Sequence, residues 1–361
     1  MKWNLFGTVY QVHNEMFHDM EAENAISQLR DSIEKDIAAN RIPDKMQYLL
    51  FKMTNHCNSD CEYCSHRVSN SANEIKSDIP FPLIKQTIDD AAALGCETVA
   101  INGGEPLLMP DIYKILQTII DDKMVPVLMT NGILLPEMWD RLGELGLRYV
   151  IISFDSIRPD VYKKQRGISF EKALAGLNAA CQMMEKYDNV HVHVSAVLTR
   201  DNQDDFIELV KYMSSRGIAT QISPYHHYNP HEEDNISITD RKKCDQLVKT
   251  LLQMKDDGYL ISSSRGFIEH LSAFFCNKMR VPKDYRCLIG YTNLFVDAYM
   301  NVRPCWDWCF KPLGNLKEMR LSEIWNGEQM KEYREKMLRC ECDGCWYMCT
   351  GEVSMMIEDR M

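Results

Sequence analysis

Fourteen cysteines are distributed unevenly along the 361-residue chain. Cys57, Cys61 and Cys64 form a first group, separated by three and by two residues. Three thiolates are one ligand short of a tetrahedral structural zinc site, for which His56 or His66 is the candidate fourth ligand. The same three thiolates suit an iron–sulfur cluster in which one iron keeps an open position. The spacing therefore favours an iron–sulfur cluster and leaves zinc as the alternative.

A second group of cysteines lies near the C-terminus. Its members are Cys287, Cys305, Cys309, Cys340, Cys342, Cys345 and Cys349. Seven cysteines within residues 287–349 favour a further metal centre. Zinc again remains an alternative, because zinc ribbons use separated cysteine pairs. Trp306, Trp308 and Trp346 are interleaved with these cysteines, and we expect them to shield a cluster from solvent. The other four cysteines are expected to be incidental buried thiols: Cys96, Cys181, Cys244 and Cys276.

The elements that must position these groups alternate between short β-branched runs and segments of helical period. This alternation is typical of βα units around a parallel sheet. The predicted strands are Tyr48–Thr54, Thr98–Asn102, Val125–Thr130, Tyr149–Phe154, Val190–Val197 and Ala219–Ser223. The predicted helices between them are Pro82–Leu94, Asp111–Asp122, Pro136–Leu145, Phe170–Tyr187 and Asp204–Arg216. We predict an α/β fold, a partial (βα)6 TIM-like barrel with a small C-terminal cysteine-rich iron–sulfur domain.

Changes in composition divide the chain into four predicted parts. Residues 1–45 form an N-terminal helical extension, with one or two helices over Glu15–Asn40, and residues 46–235 form the barrel core. A helical connection follows over 236–283, and the auxiliary cluster domain occupies 284–361. Further helices are predicted over Asp240–Asp257, Gly266–Phe275 and Leu321–Leu338.

Two motifs in the first half of this pattern are similar to those of a known family. CxxxCxxC follows the first strand, and Asn102-Gly103-Gly104-Glu105-Pro106 ends the second. In this order they resemble the radical S-adenosylmethionine (radical SAM) superfamily over roughly Met46–Tyr228. Softer matches are Tyr63, Thr130-Asn131-Gly132, Ser153-Phe154-Asp155-Ser156, Gln165-Arg166-Gly167, and Ser195 and Asn202 on or after the fifth strand. Each softer match could equally be an ordinary turn or a packed side chain.

The resemblance implies a SAM site and the chemistry that goes with it. The implied SAM-binding residues are Tyr63, Gly103, Gly104, Glu105, Asn131, Ser153, Asp155, Arg166 and Ser195. In this family SAM chelates the open iron of a 4Fe–4S cluster, and one electron then cleaves its S–C5′ bond. The resulting 5′-deoxyadenosyl radical abstracts a hydrogen from the substrate. A one-electron donor such as flavodoxin or ferredoxin is implied as a partner.

The C-terminal cysteines resemble the auxiliary-cluster domains called SPASM or, when shortened, twitch. The sequence follows their order of cysteine, hairpin, Pro304-Cys305, Gly314-Asn315, a helix and CxxC, but Met300 stands where the hairpin glycine is usual. The resemblance implies one auxiliary 4Fe–4S cluster, or two if Cys309, Cys340 and Cys349 join. The ligands that this pattern implies are Cys287, Cys305, Cys342 and Cys345, with Cys349 as the competing candidate.

Composition narrows the function classes further. A net charge of −11 argues against nucleic acid as a partner, because the average field repels phosphate backbones. No apolar run approaches the roughly 20 residues that cross a bilayer. Without an export signal the expected location is the cytoplasm, where thiols stay reduced. Tyr225, His226, His227, Tyr228 and His231 are expected to line a substrate pocket, with a metal site as the alternative.

Three functions remain open on the sequence. The first is a radical SAM enzyme that acts on a small molecule, with the auxiliary cluster aiding oxidation or binding. The second is a radical SAM maturase that forms crosslinks, thioethers or epimers in a peptide. The segment before Met46 is short for a leader-binding domain, which slightly favours a small-molecule substrate. The third is a zinc-stabilised, non-catalytic binding protein.

Overall fold

The computed structural model describes residues 20–64, 78–227, 234–277, 281–283, 285–305, 310–342 and 345–358. Its strands are β1 Tyr48–Lys52, β2 Thr98–Asn102, β3 Val125–Thr130, β4 Tyr149–Ser153, β5 His191–Leu198, β6 Ala219–Pro224, β7 Asn293–Val296, β8 Asn301–Arg303 and β9 Gly314–Asn315. They form one sheet in the order β6-β5-β4-β3-β2-β1-β7-β8-β9. All pairs from β6 to β7 are parallel, and β8 and β9 are antiparallel. Within the described residues β6 ends the sheet, with only an isolated bridge from Thr220 to Ile261 beyond it, so the barrel is incomplete.

Helices follow the strands in regular alternation. They are α1 Met20–Ala38, α2 Phe81–Ala93, α3 Ile112–Asp121, α4 Leu135–Leu145, α5 Pro159–Arg166, α6 Phe170–Lys186, α7 Phe206–Ser215, α8 Arg241–Asp256, α9 Arg265–Glu269, α10 Leu271–Cys276, α11 Leu321–Trp325, α12 Glu328–Leu338 and α13 Val353–Ile357. Helix α3 buries Ile112, Ile115, Leu116 and Ile119 at helical spacing. Helix α4 ends at Gly146, whose φ of 102° is the left-handed conformation that favours glycine.

Strand residues alternate between the interior of the barrel and the layer of helices. All five residues of β1 are buried, as expected for a parallel strand covered on both faces. All four residues Tyr48 to Phe51 are buried in the main hydrophobic core, and of these Tyr48 and Leu50 line an interior cavity. The polar residues at the carboxyl ends of β1 to β6 are thereby brought to the mouth of the barrel.

The predicted fold class is confirmed, with differences at several helix and strand ends. Strand β1 stops at Lys52, and Thr54 forms only an isolated bridge with Asp78. The segment predicted as one helix over Leu321–Leu338 is two helices, because Gly327 is extended (φ −73°, ψ 151°) and begins a new one. The predicted helix Gly266–Phe275 is likewise divided into α9 and α10. Helix α5 was not predicted from the sequence.

The C-terminal segment is joined to the barrel by the sheet itself. Strand β7 pairs with β1 in the register Tyr48↔Asn293 to Phe51↔Val296, across the predicted boundary at 283/284. The four-part division of the chain stays a prediction. Helix α1 lies against the C-terminal end of the described chain, where Arg286 bridges Glu34 at 2.6 Å and Glu358 at 2.7 Å. In the described residues no helix has the length and apolarity needed to cross a membrane.

Candidate active site

The loop after β1 opens onto a cavity of about 440 Å³. All three thiols of the CxxxCxxC motif line this cavity. It is also lined by five of the predicted SAM-binding residues, Gly103, Gly104, Asn131, Ser153 and Arg166. The structure therefore brings the two sequence motifs and parts of three softer matches to one place. We call it the cysteine cavity.

The Gly-Gly pair holds the segment that precedes the cysteines. The backbone N–H of Gly104 donates to the carbonyl of Thr54 at 2.7 Å, and that of Glu105 donates to the carbonyl of His56 at 2.7 Å. A Cβ atom at position 104 would lie 2.0 Å from the His56 carbonyl oxygen, so only glycine fits. The close approach that requires a glycine here is that of the chain's own backbone.

The Glu105 carboxylate is fully buried and directed into the protein. It accepts hydrogen bonds from Thr130 Oγ1 at 2.7 Å, from the Asn131 N–H at 2.8 Å and from the Leu107 N–H at 3.0 Å. Burial raises its pKa, and these hydrogen bonds oppose the rise. Asn131 in turn donates from Nδ2 to Asn58 Oδ1 at 2.7 Å. Glu105 thus fixes Asn131, and Asn131 fixes the cysteine loop.

Asp155 and Arg166 form a buried ion pair beside the cysteine cavity. Arg166 Nε and Nη2 donate to the two carboxylate oxygens of Asp155 at 2.5 and 2.6 Å, and the side chains are 8% and 0% exposed. Asp155 also accepts from the Tyr63 hydroxyl and from the Val197 N–H. Its oxygens are therefore occupied by protein donors. Arg166 Nη1 lies 3.9 Å from Cys61 Sγ, so one end of the guanidinium faces the thiols.

Two thiols of the loop, those of Cys57 and Cys61, have raised pKa values. Burial raises the pKa of Cys61 to about 11, and Arg166 opposes the rise. Burial also raises the pKa of Cys57, and the nearby Glu105 and Cys64 add to it. In the described residues no three His, Cys, Asp or Glu side chains converge to hold a single metal ion. Soft thiol donors around a shared cavity match the ligand chemistry of an iron–sulfur cluster.

A second cavity, of about 270 Å³, occupies the interior of the barrel. We call it the barrel cavity. Its polar lining includes Asn102, Ser195, Gln221 and Ser223, and its aromatic lining consists of Tyr48, Tyr63, Tyr225, His226 and Tyr347. Cys64, Asn102 and Met129 line both cavities, so the two spaces share a wall. Two of the predicted SAM-binding residues, Tyr63 and Ser195, lie on this side.

Sequence reasoning missed several lining residues of the barrel cavity. Asn102 was noted only as the start of the glycine motif, and Met129 and Gln221 were not singled out. The signal that could have found them is the two-residue period of the strands, which directs alternate side chains inward. Applied along β6 from Ser223, that period selects Gln221, which pairs with Ser195 on the neighbouring strand β5.

The C-terminal cysteines do not all gather at one point. Burial, then the neighbouring Cys342 and Cys340 thiols, raises the pKa of Cys287 to about 12. Cys345 is 3.1 Å from Thr350 Oγ1, and Cys305 is buried at the end of the β7–β8 hairpin. Cys349 lines the barrel cavity together with Tyr347 and Met348. Cys309, Trp306 and Trp308 lie outside the described residues.

Among the predicted pocket residues, His226 has both ring nitrogens engaged. Nδ1 is 2.8 Å from the Pro224 carbonyl, and Nε2 accepts from the Trp346 N–H at 3.0 Å. The ring stacks on Tyr347 at a centroid distance of 3.6 Å. His226 therefore joins the end of β6 to the residue after Cys345. Tyr228 and His231 lie outside the described residues.

Two protein-family profiles match the chain. Residues 51–213 match the Radical SAM superfamily, and residues 287–346 match SPASM, an iron–sulfur cluster-binding domain. The first profile covers the cysteine loop, the glycine motif and the Asp155–Arg166 pair. The second ends before Cys349.

Named relatives and solved structures agree with these matches. The chain is 35% identical over 280 residues to a probable GTP 3′,8-cyclase of Methanocaldococcus jannaschii, covering 72% of this chain and 90% of the relative. It is 33% identical over 178 residues to the GTP 3′,8-cyclase of Alkaliphilus oremlandii, covering 48% of this chain and about half, 54%, of that relative. Streptococcus suis SuiB bound to the precursor peptide SuiA has the same fold, with a TM-score of 0.65, 17% identity and coverage of 94% and 76%.

Proposed function

The chain belongs to the radical SAM superfamily and carries a SPASM iron–sulfur domain, and we propose that its two adjoining cavities bind SAM and a small substrate respectively. The observation that carries the proposal is the wall that the cavities share, formed by Cys64, Asn102 and Met129. A SAM molecule in the cysteine cavity would have its adenosyl group next to a substrate in the barrel cavity.

The chain's own residues fit a 4Fe–4S cluster and SAM in the cysteine cavity. Cys57, Cys61 and Cys64 would hold the cluster, which with SAM bound supplies a 5′-deoxyadenosyl radical. Gly103, Gly104, Asn131, Ser153 and Arg166 line the same cavity and are the proposed SAM-binding residues. Buried Glu105 and Asp155 act through Asn131 and Arg166, whose positions they fix. Their proposed role is to position the site before SAM binds.

The C-terminal module would hold the auxiliary cluster. Cys287, Cys305, Cys342 and Cys345 are the proposed ligands. The Cys342 thiol contributes to the raised pKa of Cys287, and Cys305 follows a hairpin of the shared sheet. Cys349 is the weakest of the sequence-based ligand candidates, because it faces the barrel cavity. Cys340, which donates from Sγ to the Tyr285 carbonyl at 3.2 Å, is a stronger fifth candidate.

The barrel cavity favours an uncharged substrate. Its described lining provides hydroxyl, amide and thiol groups together with apolar side chains. His226 takes part as a neutral ring, because one nitrogen accepts a backbone N–H while the other meets a carbonyl. The relatives' names make GTP a substrate to be tested, yet a triphosphate would need cationic partners that the described lining does not contain.

The experiment is anaerobic reconstitution with iron and sulfide, followed by iron counting and an assay of 5′-deoxyadenosine release under a strong reductant. We expect iron for two 4Fe–4S clusters and release of 5′-deoxyadenosine. Cys57→Ala should lose one cluster and the release, whereas Cys181→Ala, which changes a thiol outside both groups, should lose neither. A protein that takes up zinc but no iron, or that holds iron and does not cleave SAM, would refute the proposal.

The substrate class is tested separately with GTP. We expect GTP to leave the rate of 5′-deoxyadenosine release unchanged and to yield no cyclised nucleotide. Stimulated release together with a new guanine-containing product would show that the chain shares the activity named for its relatives. Flavodoxin or ferredoxin is the proposed electron donor, and either should replace the chemical reductant.

A further inference from the structure

The β7–β8 hairpin of the C-terminal module reaches the segment in front of the cysteine loop. Strand β7 runs parallel to β1, with Phe51 paired to Val296. Both chains therefore leave the sheet at the same edge, β1 toward Cys57 and β7 into the turn of residues 297–300. Two residues after β8 comes Cys305, a proposed auxiliary ligand.

The turn is held in an unusual conformation. Met300 has a φ of 72°, in the left-handed region that is costly for a residue with a side chain. Its side chain is 1% exposed and packs in the core. Asp297 Oδ1 accepts from the N–H groups of Tyr299 at 2.9 Å and Asn301 at 3.0 Å, and Asn315 Nδ2 donates to the Tyr299 carbonyl at 3.0 Å. These contacts fix the backbone of Tyr299 on both sides.

The Tyr299 side chain extends from this turn to the barrel. Its hydroxyl accepts a hydrogen bond from Asn55 Nδ2 at 3.0 Å. Asn55 is 1% exposed and lies two residues before Cys57. A buried amide hydrogen bond of this kind is costly to leave unmade.

Asn55 occupies the middle of the segment that supports the glycine motif. Its neighbours Thr54 and His56 are the residues whose carbonyls accept the N–H groups of Gly104 and Glu105, each at 2.7 Å. Glu105 then fixes Asn131 in the cysteine cavity. An unbroken series of contacts thus runs from Tyr299 to the residues that line that cavity.

We propose that Tyr299 is a positioning residue for SAM binding, through which the auxiliary-cluster module aligns the Thr54–His56 segment and the glycine motif. The inference rests on the proposed use of the cysteine cavity for SAM. It adds a mechanical dependence: the affinity for SAM depends on a contact made by the C-terminal module, 244 residues away in the sequence.

The test uses reconstituted holoprotein with Tyr299→Phe, which removes only the hydroxyl. SAM binding is measured by equilibrium dialysis without reductant, and backbone amide hydrogen exchange is followed in peptides spanning residues 103–106. We expect SAM affinity to fall about fivefold, the effect of one average hydrogen bond, and the Gly104 and Glu105 amides to exchange faster. Iron content should stay at the wild-type value.

Tyr333→Phe is the matched control, because Tyr333 also accepts a side-chain hydrogen bond in the C-terminal module, from Gln329 at 3.1 Å. A Tyr299→Phe variant that matches Tyr333→Phe in both affinity and exchange would overturn the inference. A double-mutant cycle with Asn55→Ala provides a second measurement, and additive effects on affinity would also overturn it. If wild-type protein binds no SAM, the proposed function fails, and the exchange rates still decide whether Tyr299 positions the glycine motif.

Discussion

The Asp155–Arg166 pair offers the sharpest test of how the cysteine cavity is built. Asp155→Asn keeps the size of the side chain and removes its charge. The Arg166 guanidinium, 8% exposed, would then face an amide where it had donated two hydrogen bonds of 2.5 and 2.6 Å to a carboxylate. Removing one partner of a buried pair typically costs about 3–5 kcal/mol. We expect Asp155→Asn to lose about 3 kcal/mol of unfolding free energy, the lower end, because one oxygen remains.

Urea denaturation of the reconstituted protein under anaerobic conditions measures this loss. Asp160→Asn is the matched control, since Asp160 also pairs with an arginine, Arg158 at 2.8 Å, but the two side chains are 70% and 52% exposed. An ion pair between two exposed side chains contributes little to stability, because both charges stay hydrated. The control should therefore differ from wild type by less than a third of the Asp155→Asn effect.

A double-mutant cycle separates the pair from the rest of the site. Adding Arg166→Met to Asp155→Asn removes the uncompensated charge. The loss of unfolding free energy in the double variant should therefore be about 2 kcal/mol smaller than the sum of the losses in the two single variants. SAM binding should be lost in all three variants, because Tyr63 and Arg166 both depend on Asp155. The buried-pair reasoning would be refuted if the losses of unfolding free energy in the two single variants were additive. It would also be refuted if Asp155→Asn lost no more unfolding free energy than the control Asp160→Asn.

Three further predictions concern other parts of the structure. Cys342→Ala should lower the iron content by one cluster and leave the uncoupled release of 5′-deoxyadenosine intact. If Cys342→Ala loses this release to the same extent as Cys57→Ala, the C-terminal module has only a structural role. Gly104→Ala should lose SAM binding and fold less stably, measured by dialysis and urea denaturation, because its methyl group would lie 2.0 Å from a backbone oxygen. Met300→Gly should be less destabilising than Met300→Ala by about 1–2 kcal/mol, since glycine tolerates the φ of 72°; the reverse order in urea denaturation would contradict the strained turn.

Contiguous motifs were the part of the site that the sequence predicted best. CxxxCxxC and Gly103-Gly104-Glu105 each lie within one loop, and both loops follow strands whose apolar runs are easy to recognise. Because parallel strands end at one edge of the sheet, the two motifs had to meet. Met300 is a similar case: its departure from the usual glycine was visible in the sequence, and the structure gives it the left-handed conformation that glycine normally takes.

Contacts between distant residues could not be predicted in the same way. Asp155 and Arg166 were both recognised, but nothing in the sequence says that they pair with each other and not with a ligand. Cys349 was grouped with the other C-terminal thiols by spacing alone. The turn that contains it, Met348–Glu352, is a π-helix, and both Met348 and Cys349 line the barrel cavity.

Two of the points at which the C-terminal module meets the barrel have a consequence for how the cavities respond to the auxiliary cluster. One point is Tyr299 on Asn55, in front of the cysteine loop. The other is Trp346 on His226, at the mouth of the barrel, directly after the proposed ligand Cys345. Between these points β7 is fixed to β1 by the sheet, so the module cannot shift as a rigid body without breaking backbone hydrogen bonds. Loss of the auxiliary cluster would therefore act first on the Cys345–Cys349 segment that covers the barrel cavity, and it should weaken substrate binding before it weakens SAM binding.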